Sequence, residues 1–431
     1  MFDDPTSLNR VLTTYRYPIG TNTKYTININ KYGSKKSYTL KVEKIVLNVY
    51  DEKAAILCFH LNNELYTEIQ DILYINDYGR RIYPQYLVNK KDDETKIDLG
   101  VTKNSFLADS ICLNIETMPP IQEDFSSYEK KIVPPYTMPK YIKALLPEEM
   151  HECRWLLDDR MYVISYFSNP EFAKRMREEY GSDGRWLDPK QIEWYWYQYV
   201  FIDNDDPTCQ DEKMFRDLLS HATYSRWNNK VNTTEYQTFF GISRYSFTCL
   251  IGKDYIGLLR HIKTMYYRMA SLVLAQRALS LYYSREISEI SKELDENKLT
   301  NKELYSRVNT LNRDYLRFVN NIYFREITPQ DQGIELYDMM QNQMNIKRDE
   351  QGLSGEVEQL YHYLAMANDE HRSDEAKKLN IIATSFLVPT LLTGIWGMNL
   401  EAGSNWFGVF TAIALLLAVG IIIMLYKGRN K

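Results

Sequence analysis

Leu379 to Trp396 reads LNIIATSFLVPTLLTGIW, and Trp406 to Tyr426 reads WFGVFTAIALLLAVGIIIMLY. Neither run holds a charged residue. About twenty apolar residues at roughly 1.5 Å each span a hydrocarbon core of about 30 Å. Gly397-Met398-Asn399 and the short connector Leu400 to Asn405 join the two runs. The spacing therefore predicts a two-helix transmembrane hairpin: a first span over 379–399, an outer loop over 400–405, and a second span over 406–426. The tail, 427–431, carries Lys427, Arg429 and Lys431, whereas the connector holds one acid, Glu401, and no base. On the positive-inside rule both termini face the cytoplasm and the loop faces out. Trp396 and Trp406 then sit at the outer ends of the spans, where amphipathic rings anchor among headgroups. The expected placement is the inner (plasma) membrane, with lipid as one partner.

Upstream lies a polar protein. The chain has 431 residues and a formal net charge of -5, and its mean hydropathy is -0.45. A mild acidic excess gives no electrostatic footprint for nucleic acid. Five scattered cysteines without a C-x-x-C pair argue against a disulfide framework or a zinc knuckle. The opening MFDDPTSLNR is acidic and lacks an apolar core, so no cleavable signal peptide is expected.

Alternation in Tyr25–Asn30 and Ile45–Tyr50, the turn Asp51-Glu52-Lys53, and the run Ala54–Leu61 read as strands with a hairpin. Ile111–Ile115 reads as a further strand, and Glu64–Ile72 as a helix. The expectation is an α/β domain over 1–145 within an α+β cytosolic part, closing on the proline-rich stretch from Met118 to Pro139. Residues 146–327 read as helical and aromatic. The pattern Tyr255–Leu294 is helical, and the polar segment Glu293–Leu304 connects it to a second helix ending near Ile327. Thr328-Pro329 is a good helix start. From it the spacing predicts a stalk helix over 328–378 running on into the first span, with a kink near Gly352. Leu353, Val357, Leu360, Leu364 and Ala367 form its packed stripe, at intervals of three and four.

A charge-free segment that leaves a long stalk, ends in Gly397-Met398-Asn399, and is followed by a second apolar run and a basic tail resembles the CorA family of magnesium channels. The resemblance is closest over Leu379 to Asn399 and extends more loosely over Phe324 to Tyr337 (FREITPQDQGIELY). It implies a funnel-shaped homopentamer with the tripeptide at the pore entrance and Mg²⁺ as both cargo and regulatory ligand. It further implies a pore lined by Ser373, Leu379, Ala383, Leu387, Thr390 and Gly394, with the leucine rings acting as a gate that closes by dewetting. Glu401 would attract cations at the mouth. Asp92, Asp93, Asp203, Asp205 and Asp206 would be the Mg²⁺ sensors between subunits. Two departures stand out: the outer loop reads NLEAGSNWFG where the family carries Met-Pro-Glu-Leu, and Ser373 stands where asparagine is common.

These residue types suit the chemistry. Mg²⁺ sheds water reluctantly, so a pore does better to hold the hydrated ion through its water shell. The side-chain carbonyl of Asn399 can accept hydrogen bonds from that water, and a neutral ring releases the ion faster than carboxylates would. Asn399 and Gly397 also sit where a helix ends and could simply cap it. Small residues such as Gly397 and Gly394 let helices approach closely. A divalent ion gains about 4.6 kcal/mol per 100 mV on entering a negative compartment, so no nucleotide is needed, and no phosphate-binding loop or H-E-x-x-H is present. His151 and Cys153 are neighbours without further ligands. The expected function is Mg²⁺ influx by a self-assembled channel, not an enzyme and without a covalent cofactor. A carrier of Zn²⁺, Co²⁺ or Ni²⁺ on the same scaffold and a membrane-tethered scaffold protein are the alternatives.

Overall fold

In the computed structural model the described residues are 11–31, 34–82, 108–125, 138–153, 155–158, 160–180, 191–204, 208–228, 237–296 and 301–397, with 416 and 420. The chain divides into two compact units, Met1–Glu286 with Asp314–Ser354, and Ile287–Arg313 with Gly355–Lys431.

The first unit holds two sheets. Strands β1 (Leu12–Tyr17), β2 (Lys24–Lys31), β3 (Ser34–Tyr50), β4 (Ala54–Asn62), β5 (Ala108–Asn114) and β6 (Ile121–Asp124) form an antiparallel sheet of order β1-β3-β2-β5-β6, with β4 also on β3. Strand β3 makes this possible because it is 17 residues long. Its first half pairs with β2, and its second half carries β1 on one edge and β4 on the other. The hairpin register Tyr50↔Ala54 closes over Asp51 and Glu52, whose φ values of 48° and 58° are left-handed. Tyr25, Ile27, Leu40, Ile45, Ile111 and Leu113 alternate inward to form the core of this sheet.

Helix α1 (Ile69–Gly79) begins five residues and ends seven residues later than its expected span, Glu64–Ile72. It serves both cores: Tyr78 belongs to the first, while Ile72 and Leu73 belong to the second. The short α2 (Lys140–Lys143) packs Tyr141 and Ile142 into the first core.

The second sheet corrects the expectation of a helical middle region. Strands β7 (Val163–Ser168), β8 (Thr223–Trp227), β9 (Thr238–Ile242) and β10 (Ser246–Ile251) have the order β7-β10-β9-β8. Strand β10 runs parallel to β7 and antiparallel to β9. Helices α3 (Pro170–Glu179), α4 (Gln191–Phe201) and α5 (Glu212–Ala222) fill the connection from β7 to β8. Asn169 and Asp211 cap α3 and α5 by accepting from Phe172 N at 2.8 Å and Met214 N at 2.7 Å. Trp196 of α4 is fully buried and donates from Nε1 to Thr223 at 2.8 Å.

Helix α6 (Ile256–His261), a π-helical turn (Ile262–Tyr266) and α7 (Tyr267–Asp295) follow, then α8 (Asn301–Asn321), α9 (Asp331–Gln343) and α10 (Ile346–Gly397). The boundary between the units falls within α7, α8 and α10. In the second unit Ile287, Ile290, Leu304, Val308, Leu311, Val357, Leu360 and Leu364 are buried, and Arg307 pairs with Glu293. The packed stripe read from the sequence is thus observed from Leu353 to Leu364; the side chain of Ala367 lies outside the described residues.

Two expectations for the stalk are corrected. Gln330, not Thr328, occupies the N-cap of α9, and the helix breaks at Asn345 rather than near Gly352. Asn345 has φ 55°, a left-handed geometry that asparagine tolerates and that ends an α-helix. The transmembrane hairpin is corrected as well: among the described residues no helix is long and apolar enough to cross a membrane. The first apolar run is the end of α10, a helix whose earlier part is charged, and Asn380 and Thr384 interrupt the run, with Thr384 Oγ1 donating back to Asn380 O at 2.7 Å. The second run lies outside the described residues except for Leu416 and Gly420. The transmembrane character and the two-span inner-membrane placement with cytoplasmic termini therefore have no support among the described residues.

Candidate functional site

The C-terminal part of α10 carries the candidate residues from Ser373 to Gly397. The helix is unbroken for 52 residues and ends on Gly397, the first residue of the tripeptide. Its interior contains Pro389, and its preceding side chains run through Lys377 and Lys378. At about 100° per residue, Leu379, Ala383, Leu387, Thr390 and Gly394 fall within an arc of about 80° on one face; Ser373 lies about 40° beyond that arc.

That face is exposed wherever its side chains are described. Leu379 is 66 % exposed and Leu387 is 59 % exposed, and Ser373, Ala383 and Thr390 are exposed too. Two leucines left in solvent on a helix whose earlier leucines are buried cost about 1.5–3 kcal/mol each in forgone burial. A face of this kind favours a covering surface, whether lipid, another protein or a second copy of α10.

Met398, Asn399 and Glu401 lie outside the described residues. So do Asp92, Asp93, Asp205 and Asp206. Asp203 is described, and its carboxylate has a local duty: Oδ2 accepts from Thr208 N at 3.0 Å, closing the loop after α4. Its neighbour Ile202 has φ 52°, so the chain turns sharply there. Among the described residues no group of three or more His, Cys, Asp or Glu side chains is placed to hold a metal ion. The structure thus brings Leu379, Ala383, Leu387, Thr390 and Gly394 together on one face of α10, leaves Ser373 to its side, and does not bring the acids into a described cluster.

His151 and Cys153 have separate surroundings. Nε2 of His151 lies 3.0 Å from Lys143 O and 3.1 Å from Leu146 O, at the end of α2, whereas Cys153 is exposed. Of the other thiols, Cys58 is held up at about 11 by burial, and Cys249 is raised by burial alone. Neither environment favours a thiolate.

The sequence reading passed over Arg80 and Arg81, both buried at the end of α1. Asp77 accepts from Arg81 Nη2 at 2.7 Å and from Asn204, while Arg80 Nη2 donates to Ile202 O at 3.2 Å. A signal was available. Two adjacent arginines directly after Gly79, on a helix that otherwise carries an apolar face, must either reach solvent or find partners inside.

No protein-family model matches the chain, and no curated protein matches it.

Proposed function

We propose that this chain self-assembles into a conduit for divalent cations, with Mg²⁺ as the ion carried and as the ligand that regulates it. The observation that carries the reading is α10: an unbroken helix that ends on Gly397, sets Leu379, Ala383, Leu387, Thr390 and Gly394 on one face, and leaves the first four of these exposed. One such face encloses nothing. Several copies around an axis would enclose a pathway, in which small and weakly polar residues alternate with leucine constrictions. The resemblance of Leu379 to Asn399 to CorA channels supports Mg²⁺ as the ion and a homopentamer as the assembly. Asn399 then holds the hydrated ion at the entrance through its side-chain carbonyl.

The test is growth of a cell lacking its own magnesium transporters, supplied with this chain or with Asn399→Ala. Rescue by the native chain at low external Mg²⁺, lost in Asn399→Ala at equal expression, is the expected result. Rescue by both would remove the tripeptide from the mechanism. Rescue by neither, with uptake of Zn²⁺, Co²⁺ or Ni²⁺ instead, would reassign the ion.

A further inference from the structure

Away from the C-terminal end of α10, three backbone segments of the first unit converge at the end of α1. Arg81 pairs with Arg160 in an isolated antiparallel bridge, and Met161 N donates to Arg80 O at 2.9 Å. Val163 N donates to Tyr245 O at 3.0 Å, which brings in the β9–β10 turn. The Tyr245 ring receives two guanidinium groups, with Arg80 Cζ at 5.5 Å and Arg160 Cζ at 5.4 Å from its centre. Arg244 is the preceding residue of that turn, and Arg277 faces the same place from α7. Burial first, and then the charge of Arg244, push the Arg277 guanidinium below its usual range, with Asp349, Asp158 and Tyr245 also acting on it. Arg80 is pushed down to about 10, by burial first; Asp77 opposes the fall, and Arg160 and Arg81 add to it.

The charges do not balance among the described residues. Asp77 serves Arg81 at 2.7 Å and Arg80 at 3.5 Å, and Asp158 serves Arg160 at 3.5 Å. Asp349 is itself paired with Arg348 at 3.0 Å. Even with Asp349 counted, five arginines face three aspartates. The donors are also in surplus: Nε of Arg80, and Nε and Nη1 of Arg81, are buried without a hydrogen-bond partner among the described residues. Arg80 and Arg81 are each only 4 % exposed. Buried cations in surplus are costly unless an anion meets them. An excess of two positive charges matches a phosphate group, which carries roughly −1.5 to −2 near neutral pH, and the planar guanidinium fork suits its oxygens. Access exists on the outer side, where Arg244 is exposed and Arg160, Arg277 and Tyr245 are partly exposed.

We propose that Arg160, Arg244 and Arg277 around Tyr245, backed by the buried Arg80 and Arg81, form a binding site for the phosphate group of a small soluble ligand. The outer three arginines hold the oxygens. The inner two act through their field, which is stronger in a poorly solvated interior than in water. The site is separate from the face of α10 and stands whether or not that face conducts ions.

The experiment uses the full-length chain in EDTA, so that removal of Mg²⁺ by the ligand is not read as binding. Inorganic phosphate and pyrophosphate are titrated by calorimetry and thermal melting, against chloride at equal ionic strength. Saturable binding of pyrophosphate that raises the melting temperature, weakened about tenfold or more in Arg244→Gln/Arg277→Gln, is the expected result. Arg244→Gln alone changes an exposed turn residue and decides the matter if the double variant does not fold; it too must weaken binding. No stabilisation beyond chloride, or native affinity in the Arg244→Gln variant, overturns the site. Binding of phosphatidic-acid vesicles without binding of free phosphate or pyrophosphate overturns the soluble ligand.

Discussion

At the scale of single residues, Asp77 and His60 show how burial sets the consequences of a change. Asp77 is buried and is the described carboxylate that bonds both Arg80 and Arg81. Asp77→Asn keeps the shape but removes the charge that faces two buried cations. Breaking a buried pair this way costs about 3–5 kcal/mol, which a urea titration would read as a large drop in midpoint. The double variant Asp77→Asn/Arg81→Met should recover part of that loss, because the two sites share one interaction. His60 concerns pH. Its ring packs at 4.7 Å on Tyr267, and burial first, then Lys44, hold its pKa down at about 4; Glu43 opposes this and Lys263 adds to it. An ordinary histidine titrates near 6.5. Between those values the unfolded chain binds more protons than the folded one, so stability rises with pH. The contribution is complete above about 6.5 and is lost as pH falls toward 4. The stability difference between the native chain and His60→Phe should therefore change with pH inside that window and stay flat above it; a difference that is flat throughout would mean the ring is solvated.

At the scale of elements, legibility followed the range of the signal. The β3–β4 hairpin was readable because Asp51-Glu52-Lys53 lies between two apolar runs, and its register is local. The helical run Tyr255–Leu294 was readable from periodicity, whereas the π-helical turn at Ile262–Tyr266, a single turn, was not distinguished from the α-helix around it. Strands β7, β9 and β10 were missed for a different reason. TFFGI and SFTCLI are short runs buried on both faces, and VISYFS beside them is partly buried throughout, so none of the three shows the alternation of a half-buried strand. The face of α10 was legible as a stripe, whereas the convergence of Arg80, Arg160, Arg244 and Arg277 was not, since four distant segments supply it. The break at Asn345 was misplaced because glycine weighs more than asparagine in a propensity argument, yet Gly352 and Gly355 both lie inside a continuous helix. A Cβ at either position meets nothing within 4 Å. Gly352→Ala and Gly355→Ala should therefore each stabilise the isolated chain by about 1 kcal/mol, measured by thermal melting. Destabilisation that appears only in an assembled form would place a neighbouring chain against those glycines.

At the scale of the whole molecule, the uncovered end of α10 has to be reconciled with a buried interior elsewhere. Leu364 is buried, but Met366, Leu379, Ile382 and Leu387 are 53–66 % exposed on the same helix. Apolar surface of that extent favours association, and the proposed conduit requires that association be with further copies of α10. The purified protein should then have a mass near five times the 51.0 kDa chain in light scattering. Leu387→Ser separates the possible roles of the face. Where the leucines of several copies close a narrow path, serine lets water into the constriction and lowers the barrier to ions. Reconstituted protein carrying Leu387→Ser should then pass Mg²⁺ faster than the native chain at high Mg²⁺, with the oligomer intact. Where Leu387 instead packs against lipid or a neighbouring helix, the same change removes burial worth about 1.5–3 kcal/mol per copy and adds a hydroxyl to an apolar contact. Flux then falls together with the amount of assembled protein. A gain of flux with the mass unchanged thus sets Leu387 on the path, and a loss of both takes it off.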